Sequence, residues 1–257
     1  MNLTGKVALI TGGRRLGGLI AQELAARGCH VGLSYFSQRE PVEETASACR
    51  QFGVQADVFQ ADLRDPAASD RLINWTVERF GGLQILINLT SIYYPTPLET
   101  LQPDDVTDMI ASNLTGPLFT AVAAAKRIQQ EPLDDGIQGK IIHFTDWAID
   151  RPYLNFLPYL AAKGGLATLT KALAVELAPT ITVNAVAPGT VLPPPDLSEE
   201  KKEAICRASA LQKLGQGRDV VEAVLYLLVG TDFITGETLR VDGGRFLGGQ
   251  ESGVGDF

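Results

Sequence analysis

Residues 7–35 hold a succession of patterns that leaves few folds open. An apolar run over 7–10 enters a glycine-rich turn, Thr11-Gly12-Gly13-Arg14-Arg15-Leu16-Gly17-Gly18. A helical pattern over 19–27 follows, Gly28 ends it, and a second apolar run covers 31–35. A helix between two consecutive strands is a crossover, and a crossover joins parallel strands. The pattern then recurs. Strands are predicted over 54–60, 85–89, 141–144, 181–186 and 238–241. Helices are predicted over 41–52, 66–80, 158–177 and 220–228, with one or two more in 103–128. The expected fold is α/β: a Rossmann-type, doubly wound parallel sheet of about seven strands with helices on both faces. No composition break divides the chain, so residues 1–257 are expected to form one domain. Residues 188–217, with Pro193, Pro194 and Pro195, read as one long irregular stretch near the substrate. The glycine-rich residues 246–257 read as a loose tail.

Composition closes other routes. The chain is 45% hydrophobic and 20% charged, an ordinary globular balance. Its formal charge of −8 argues against a nucleic-acid partner. Cys29, Cys49 and Cys206 are widely spaced and form no CxxC, so neither a disulfide framework nor a metal site is expected. No apolar run reaches the ~18 residues of a membrane span, and the start lacks the parts of a signal peptide. A cytoplasmic protein without membrane association is therefore expected.

Two constellations carry chemistry. The strand–turn–helix at Thr11–Gly18 lets the backbone approach a pyrophosphate at a helix N-terminus. Folds of this type that prefer NAD place an acid at the end of the second strand, about twenty residues on. Here that strand ends Ser34-Tyr35-Phe36-Ser37-Gln38-Arg39, while Arg14 and Arg15 lie in the turn. Guanidinium groups without a competing carboxylate suit a 2′-phosphate, so NADP(H) is expected. The second constellation is Tyr159-Leu-Ala-Ala-Lys163. A spacing of four puts phenol and ammonium on one helix face, where the cation is expected to lower the tyrosine pKa and ready it for proton transfer. Asp146, just past the strand 141–144, is expected to meet Tyr159 at the carboxyl edge of the sheet. His30 and His143 read as structural, and Trp147, Tyr153 and Phe156 read as packing residues.

With these residues in place, the chain resembles a classical short-chain dehydrogenase/reductase over nearly its full length. The marks are the TG…G turn, Asp62-Leu63, Asn88, Asn113, YxxxK, Pro188-Gly189 and Val241-Asp242-Gly243-Gly244. Within that family it resembles the pteridine and dihydromonapterin reductases. Three segments carry this: Arg15-Leu16-Gly17, residues 91–98 (Ser-Ile-Tyr-Tyr-Pro-Thr-Pro-Leu), and His143-Phe144-Thr145-Asp146, with Asp where most relatives have the catalytic Ser. The turn is one residue shorter than the family pattern, and Leu89 replaces the second Asn of NNA[GS].

The resemblance implies an NADPH-dependent reductase that transfers hydride to a pterin-like ring. It implies a catalytic set of Tyr159, Lys163, Asp146 and Asn113. Cofactor contacts would come from Gly12, Arg15, Leu16, Gly17, Tyr35, Ser37, Asp62, Leu63, Asn88, Ser91, Lys163, Pro188 and Gly189. Substrate would lie against Tyr93, Asp146 and Tyr159, with Leu98 and Leu192 as apolar walls. No metal is implied, and relatives commonly form homotetramers through the helices around 101–130 and 158–178. Two other functions stand beside this one. One is a carbonyl reductase of the same fold, such as a 3-oxoacyl-carrier-protein reductase, although an ionised Asp146 would repel the developing alkoxide. The other is a non-catalytic dinucleotide-binding protein, against which the intact Tyr159/Lys163/Asn113 set argues.

Overall fold

The computed structural model describes residues 1–193 and 197–248. Seven strands form one sheet: β1 (Val7–Thr11), β2 (His30–Tyr35), β3 (Ala56–Gln60), β4 (Ile85–Asn88), β5 (Gly139–Phe144), β6 (Ile181–Pro188) and β7 (Thr238–Val241). Their order is β3-β2-β1-β4-β5-β6-β7, and every pairing is parallel. The order reverses direction between β1 and β4, which opens a crevice at the carboxyl ends of those two strands.

Helices cover both faces: α1 (Leu16–Ala26), α2 (Glu40–Arg50), α3 (Pro66–Phe80), α4 (Pro103–Ile110), α5 (Gly116–Ile128), α6 (Leu157–Glu176), α7 (Glu199–Arg207) and α8 (Gly217–Leu225). Alternate strand residues enter two separate cores. Ala8 and Ile10 of β1, with Ile85 and Ile87 of β4, pack with Ile20 and Leu24 of α1 and Val220 and Val224 of α8. Leu9 and Leu86 face the other way and pack with Leu72 and Ile73 of α3 and Ala121 and Ala124 of α5. Burial on both faces is why these strands read as continuous apolar runs.

Local chemistry sets the helix ends. Asp65 caps α3 by accepting the Ala67 N–H at 3.0 Å, Pro66 opens the helix, and Gly81 closes it in the left-handed conformation. Gln216 precedes α8, and its N–H donates to Asp219 Oδ2 at 2.7 Å, so the helix begins at Gly217 and not at 220. The region 103–128 resolves into α4, a π-helical turn over Ala111–Thr115, and α5. Such turns interrupt the helical ladder, often at functional sites.

Two expectations need correction or restriction. Residues 188–217 are not irregular throughout, because Glu199–Arg207 form α7, capped by Ser198, whose Oγ accepts the Lys201 N–H at 3.3 Å. Pro194 and Pro195, and residues 249–257 of the expected tail, lie outside the described residues. Among the described residues no helix is long and apolar enough to cross a membrane.

A buried cation fastens the β7 side of the sheet. Lys140 of β5 is 1% exposed, and its ammonium reaches Asp232 at 2.5 Å, the Leu227 carbonyl at 2.9 Å and the Thr231 carbonyl at 2.8 Å. These contacts pin the π-helical turn Tyr226–Gly230 that follows α8. Removing the ammonium leaves the Leu227 and Thr231 carbonyls without this donor, while Asp232 stays partly solvated and paired with the N-terminus, and costs about 1–3 kcal/mol. Lys140→Met is therefore expected to lower unfolding stability by about that amount in urea titration, with the spectrum of the folded state unchanged.

Candidate active site

The crevice begins at the turn after β1. Gly12 takes φ 84°, and the Gly13 N–H donates to the Ser34 carbonyl at 3.2 Å, tying the turn to β2. A Cβ at Gly17 would lie 2.1 Å from the Gly12 carbonyl oxygen, so only glycine lets α1 start this close to β1. The shortened turn leaves its mark on Arg15, a non-glycine residue at φ 49°. Two connected cavities flank the turn. One, of about 230 Å³, is lined by Gly13, Arg14, Tyr35, Ser37 and Gln38. The other, of about 870 Å³, runs from Gly12, Arg15, Leu16 and Gly17 past Pro188 and Gly189 to Asp146 and Tyr159. Gly12, Arg14, Leu89 and Ser91 line both. A glycine cradle at the N-terminus of an eleven-residue helix, between two joined cavities, has the form that a nicotinamide dinucleotide requires.

The arginines divide differently from expectation. Arg14 hydrogen-bonds Gln38 Oε1 beside Ser37, whereas Arg15 hydrogen-bonds the Leu192 carbonyl on the far side of the cleft. Arg14 thus lies beside Ser37 and Gln38 after β2, while both arginines line the larger cavity.

Three further cofactor candidates lie off the cavity walls. Asp62 is engaged by Arg64, whose Nε and Nη2 donate to it at 3.0 and 2.7 Å, and this pairing holds its carboxyl below the usual range. Leu63 is buried in the core between β3, α3 and α5. Asn88 is also buried: its amide nitrogen donates to the Pro117 carbonyl at 3.1 Å and lies 3.3 Å from His143 Nδ1, and its oxygen accepts from Thr11 at 3.4 Å. It ties β4 to β1, β5 and α5 from behind the cavity. Asn113 works similarly. Its oxygen accepts the Ile92 N–H and its nitrogen donates to the Ile92 carbonyl, both at 2.9 Å, so it fixes the segment that carries Tyr93.

At the far end, Tyr159 of α6 donates its hydroxyl proton to Asp146 Oδ2 at 2.8 Å, and Asp146 Oδ1 accepts the Ala148 N–H at 2.8 Å. Burial, followed by the charge of Asp146 and the bond to it, raises the Tyr159 pKa well above its ordinary value. Burial also raises Asp146 against the opposing bonds from Ala148 and Tyr159. Both groups are thus shifted toward their neutral forms, against the expectation that Lys163 lowers Tyr159. Lys163 is itself buried, and that burial brings its pKa down to about 8. Its ammonium donates to the Phe144 carbonyl at 2.7 Å and lies 5.8 Å from the Tyr159 ring centroid.

Aromatic rings box this end. Tyr93 stacks on Phe156 with centroids 4.5 Å apart and planes 13° apart, and meets Tyr159 edge-on at 4.8 Å. The Tyr153 hydroxyl donates to the Tyr93 hydroxyl at 3.2 Å. Trp147, Tyr153 and Phe156, expected only to pack, line the larger cavity, and Arg245 joins them. The signal was available in the aromatic residues Tyr153 and Phe156 leading into the helix that carries Tyr159, and in Arg245 directly after Val-Asp-Gly-Gly. Leu192 lines the cavity as expected, but Leu98 is 74% exposed and does not.

Comparison with known proteins agrees with this geometry. The family described as enoyl-(acyl carrier protein) reductase matches residues 13–245. The chain is 32% identical over 253 residues to 3β-hydroxysteroid dehydrogenase 1 of Eggerthella lenta, covering 96% of this chain and 95% of that protein. It is 32% identical over 251 residues to the 3-oxoacyl-[acyl-carrier-protein] reductase FabG of Staphylococcus aureus, covering 94% of this chain and 98% of that one. Among solved structures, a short-chain dehydrogenase from Burkholderia cenocepacia in complex with NADP superposes with a TM-score of 0.87 at 32% identity, covering 95% of this chain and 99% of that chain. A short-chain dehydrogenase/reductase from Serratia marcescens gives a TM-score of 0.87 at 31% identity, covering 96% of this chain and 100% of that chain. The protein is an oxidoreductase that belongs to the classical short-chain dehydrogenase/reductase family.

Proposed function

We propose that this oxidoreductase is an NADPH-dependent reductase of a flat, nitrogen-rich ring of the pterin type. The observation that carries the reading is Asp146, hydrogen-bonded at 2.8 Å to Tyr159 inside a box of aromatic rings. Tyr93 has one face stacked on Phe156, and a flat substrate adds to that stack or slides between the rings. Burial favours the protonated form of Asp146, and that form can give its proton to a ring nitrogen. Two adjacent proton carriers, Tyr159 and Asp146, suit a ring with more than one basic nitrogen.

Gly12, Leu16 and Gly17 would hold the cofactor's phosphates, and Arg14 with Ser37 and Gln38 its 2′-phosphate. Tyr35 and Ser91 line the same crevice, and Pro188 and Gly189 close it on the β6 side. When bound, the cofactor supplies the hydride. Tyr159 delivers a proton to the reduced ring, and Lys163 sets a fixed positive charge behind it. The absence of an acid over 35–39 and the presence of Arg14 support NADPH over NADH. The similarity to FabG favours a second reading, reduction of a 3-oxoacyl carbonyl. A turnover panel of biopterin, dihydropterin and acetoacetyl substrates with NADPH separates the two. Ready reduction of acetoacetyl substrates with every pterin ignored would falsify the pterin reading.

Four outcomes follow from the geometry. Tyr159→Phe keeps the ring packing but removes the proton, so turnover is expected to fall about 10²–10⁴-fold with NADPH binding unchanged. Arg14→Ala is expected to weaken NADPH far more than NADH in fluorescence titration; equal losses remove it from phosphate recognition. Tyr93→Ala is expected to raise the KM for a pterin about tenfold and to leave a small ketone unaffected. Lys163 is cationic below its pKa of about 8 and neutral above it, so kcat/KM is expected to fall as pH rises through that value. A profile flat to pH 10 would place Lys163 in a solvated setting.

A further inference from the structure

The smaller cavity holds an aromatic ring for which neither phosphate binding nor proton transfer has a use. Phe36 follows β2 directly, is 56% exposed, and lines that cavity beside Arg14, Ser37 and Gln38. One face of the ring is covered: the Arg64 guanidinium carbon lies 5.2 Å from its centroid. Arg64 is in turn held from two sides. Its Nε and Nη2 donate to Asp62 at 3.0 and 2.7 Å, and its Nη1 donates to Asp108 Oδ1 of α4 at 3.3 Å. The backbone that carries the ring is fixed as well. Gln60 Nε2 donates to the Phe36 carbonyl at 3.0 Å, and the Ala61 N–H donates to the Tyr35 carbonyl at 2.9 Å. Phe36 thus stands at the ends of β2 and β3 with a guanidinium on one face and the cavity beside it.

The chemistry of the cofactor says what comes to rest there. In NADP(H) the 2′-phosphate and the adenine are attached to one ribose, so the base lies close to whatever holds the phosphate. Arg14, Ser37 and Gln38 are the groups proposed for that phosphate, and Phe36 is the residue before Ser37. Adenine is flat and uncharged, and a base of this kind stacks on an aromatic ring. The two other residues implied for this end of the cofactor are engaged elsewhere. Asp62 gives its carboxylate to Arg64, and Leu63 is packed in the core. The contact with Arg64 restricts the Phe36 ring before the cofactor arrives, which lowers the entropy lost when a base stacks on it.

We propose that Phe36 is a cofactor-binding residue, the stacking platform for the adenine base, and that Arg64 is a positioning residue that holds its ring. The inference rests on the reading of this crevice as the NADPH site and not on which substrate is reduced.

The test reads binding and not turnover. NADPH and NADH are titrated into the full chain by nicotinamide fluorescence. Adenosine 2′,5′-bisphosphate, which lacks the nicotinamide half, is titrated by calorimetry. Phe36→Ala is expected to weaken all three about tenfold, the size of one lost base–aromatic stack, and to leave the ratio of NADPH to NADH affinity within about twofold of wild type. Phe36→Leu, which keeps apolar area without a flat face, is expected to lose about fivefold, and Phe36→Tyr to bind as wild type does. Arg64→Gln is expected to weaken the same three ligands about threefold, again with the ratio unchanged. Reduced nicotinamide mononucleotide, which lacks the adenosine, is expected to bind every variant as it binds wild type, which a general loss of structure would not allow. Wild type that binds none of the adenosine ligands overturns the reading of the crevice and the proposal with it. Dinucleotide affinity that stays within about twofold of wild type in Phe36→Ala overturns the proposal alone and leaves that reading standing. A loss confined to NADPH and the bisphosphate, with NADH unaffected, assigns Phe36 to the phosphate and overturns it too. Unchanged affinity in Arg64→Gln overturns the positioning role of Arg64.

Discussion

The close approach of α1 to β1 governs the rest of the molecule. With the position of a Gly17 Cβ only 2.1 Å from the Gly12 carbonyl oxygen, the helix starts almost on the strand end. That places a helix N-terminus at the point where strand order reverses, and an anion site follows from the helix dipole and the exposed turn. The same reversal separates β1 from β4, so whatever rests on the turn extends along the edges of β4, β5 and β6. There Leu89, Asp146 and Pro188 end or follow their strands, and all three line one cavity.

Proton chemistry in that cavity is set by burial more than by charge pairing. A lysine four residues after a tyrosine suggests an acidified phenol, but the side chains do not meet in that way. Lys163 turns to the Phe144 carbonyl, and Tyr159 turns to Asp146. The phenol and the carboxyl compete for a negative charge that the dry surroundings disfavour, so both hold their protons more firmly. A serine in place of Asp146 would leave the phenol only a neutral neighbour. The Asp thus changes what the site can donate as well as what it can repel.

Much of this was legible in the sequence. Continuous apolar runs and the helix ended by Gly28 identified the layers, because buried parallel strands and helix stops obey local rules. The meeting of Tyr159 and Asp146 at the carboxyl edge of the sheet was legible from their positions after β5 and in the following helix. Less legible were features that depend on distant contacts. Asn88 looks like a cofactor ligand in a motif, but its amide is committed to Pro117 and His143, residues far along the chain. The directions of Arg14 and Arg15 depend on a turn one residue short, and neighbouring guanidiniums give no sequence signal of which way each points. Arg245 becomes a wall of the larger cavity only because β7 returns its end to β6 and Thr190.

The Asn113 clamp has a consequence for motion. Ile92 gives both its backbone polar groups to one side-chain amide in the π-helical turn between α4 and α5, and belongs to no strand. The segment bearing Tyr93 is therefore ordered by a helix and not by the sheet. Opening of that helical kink is expected to release the Tyr93 segment with it, which matched amide-exchange rates at Ile92 and along Ala111–Thr115 would check. Substrate entry would then be timed by the helix pair, while the sheet below stays closed.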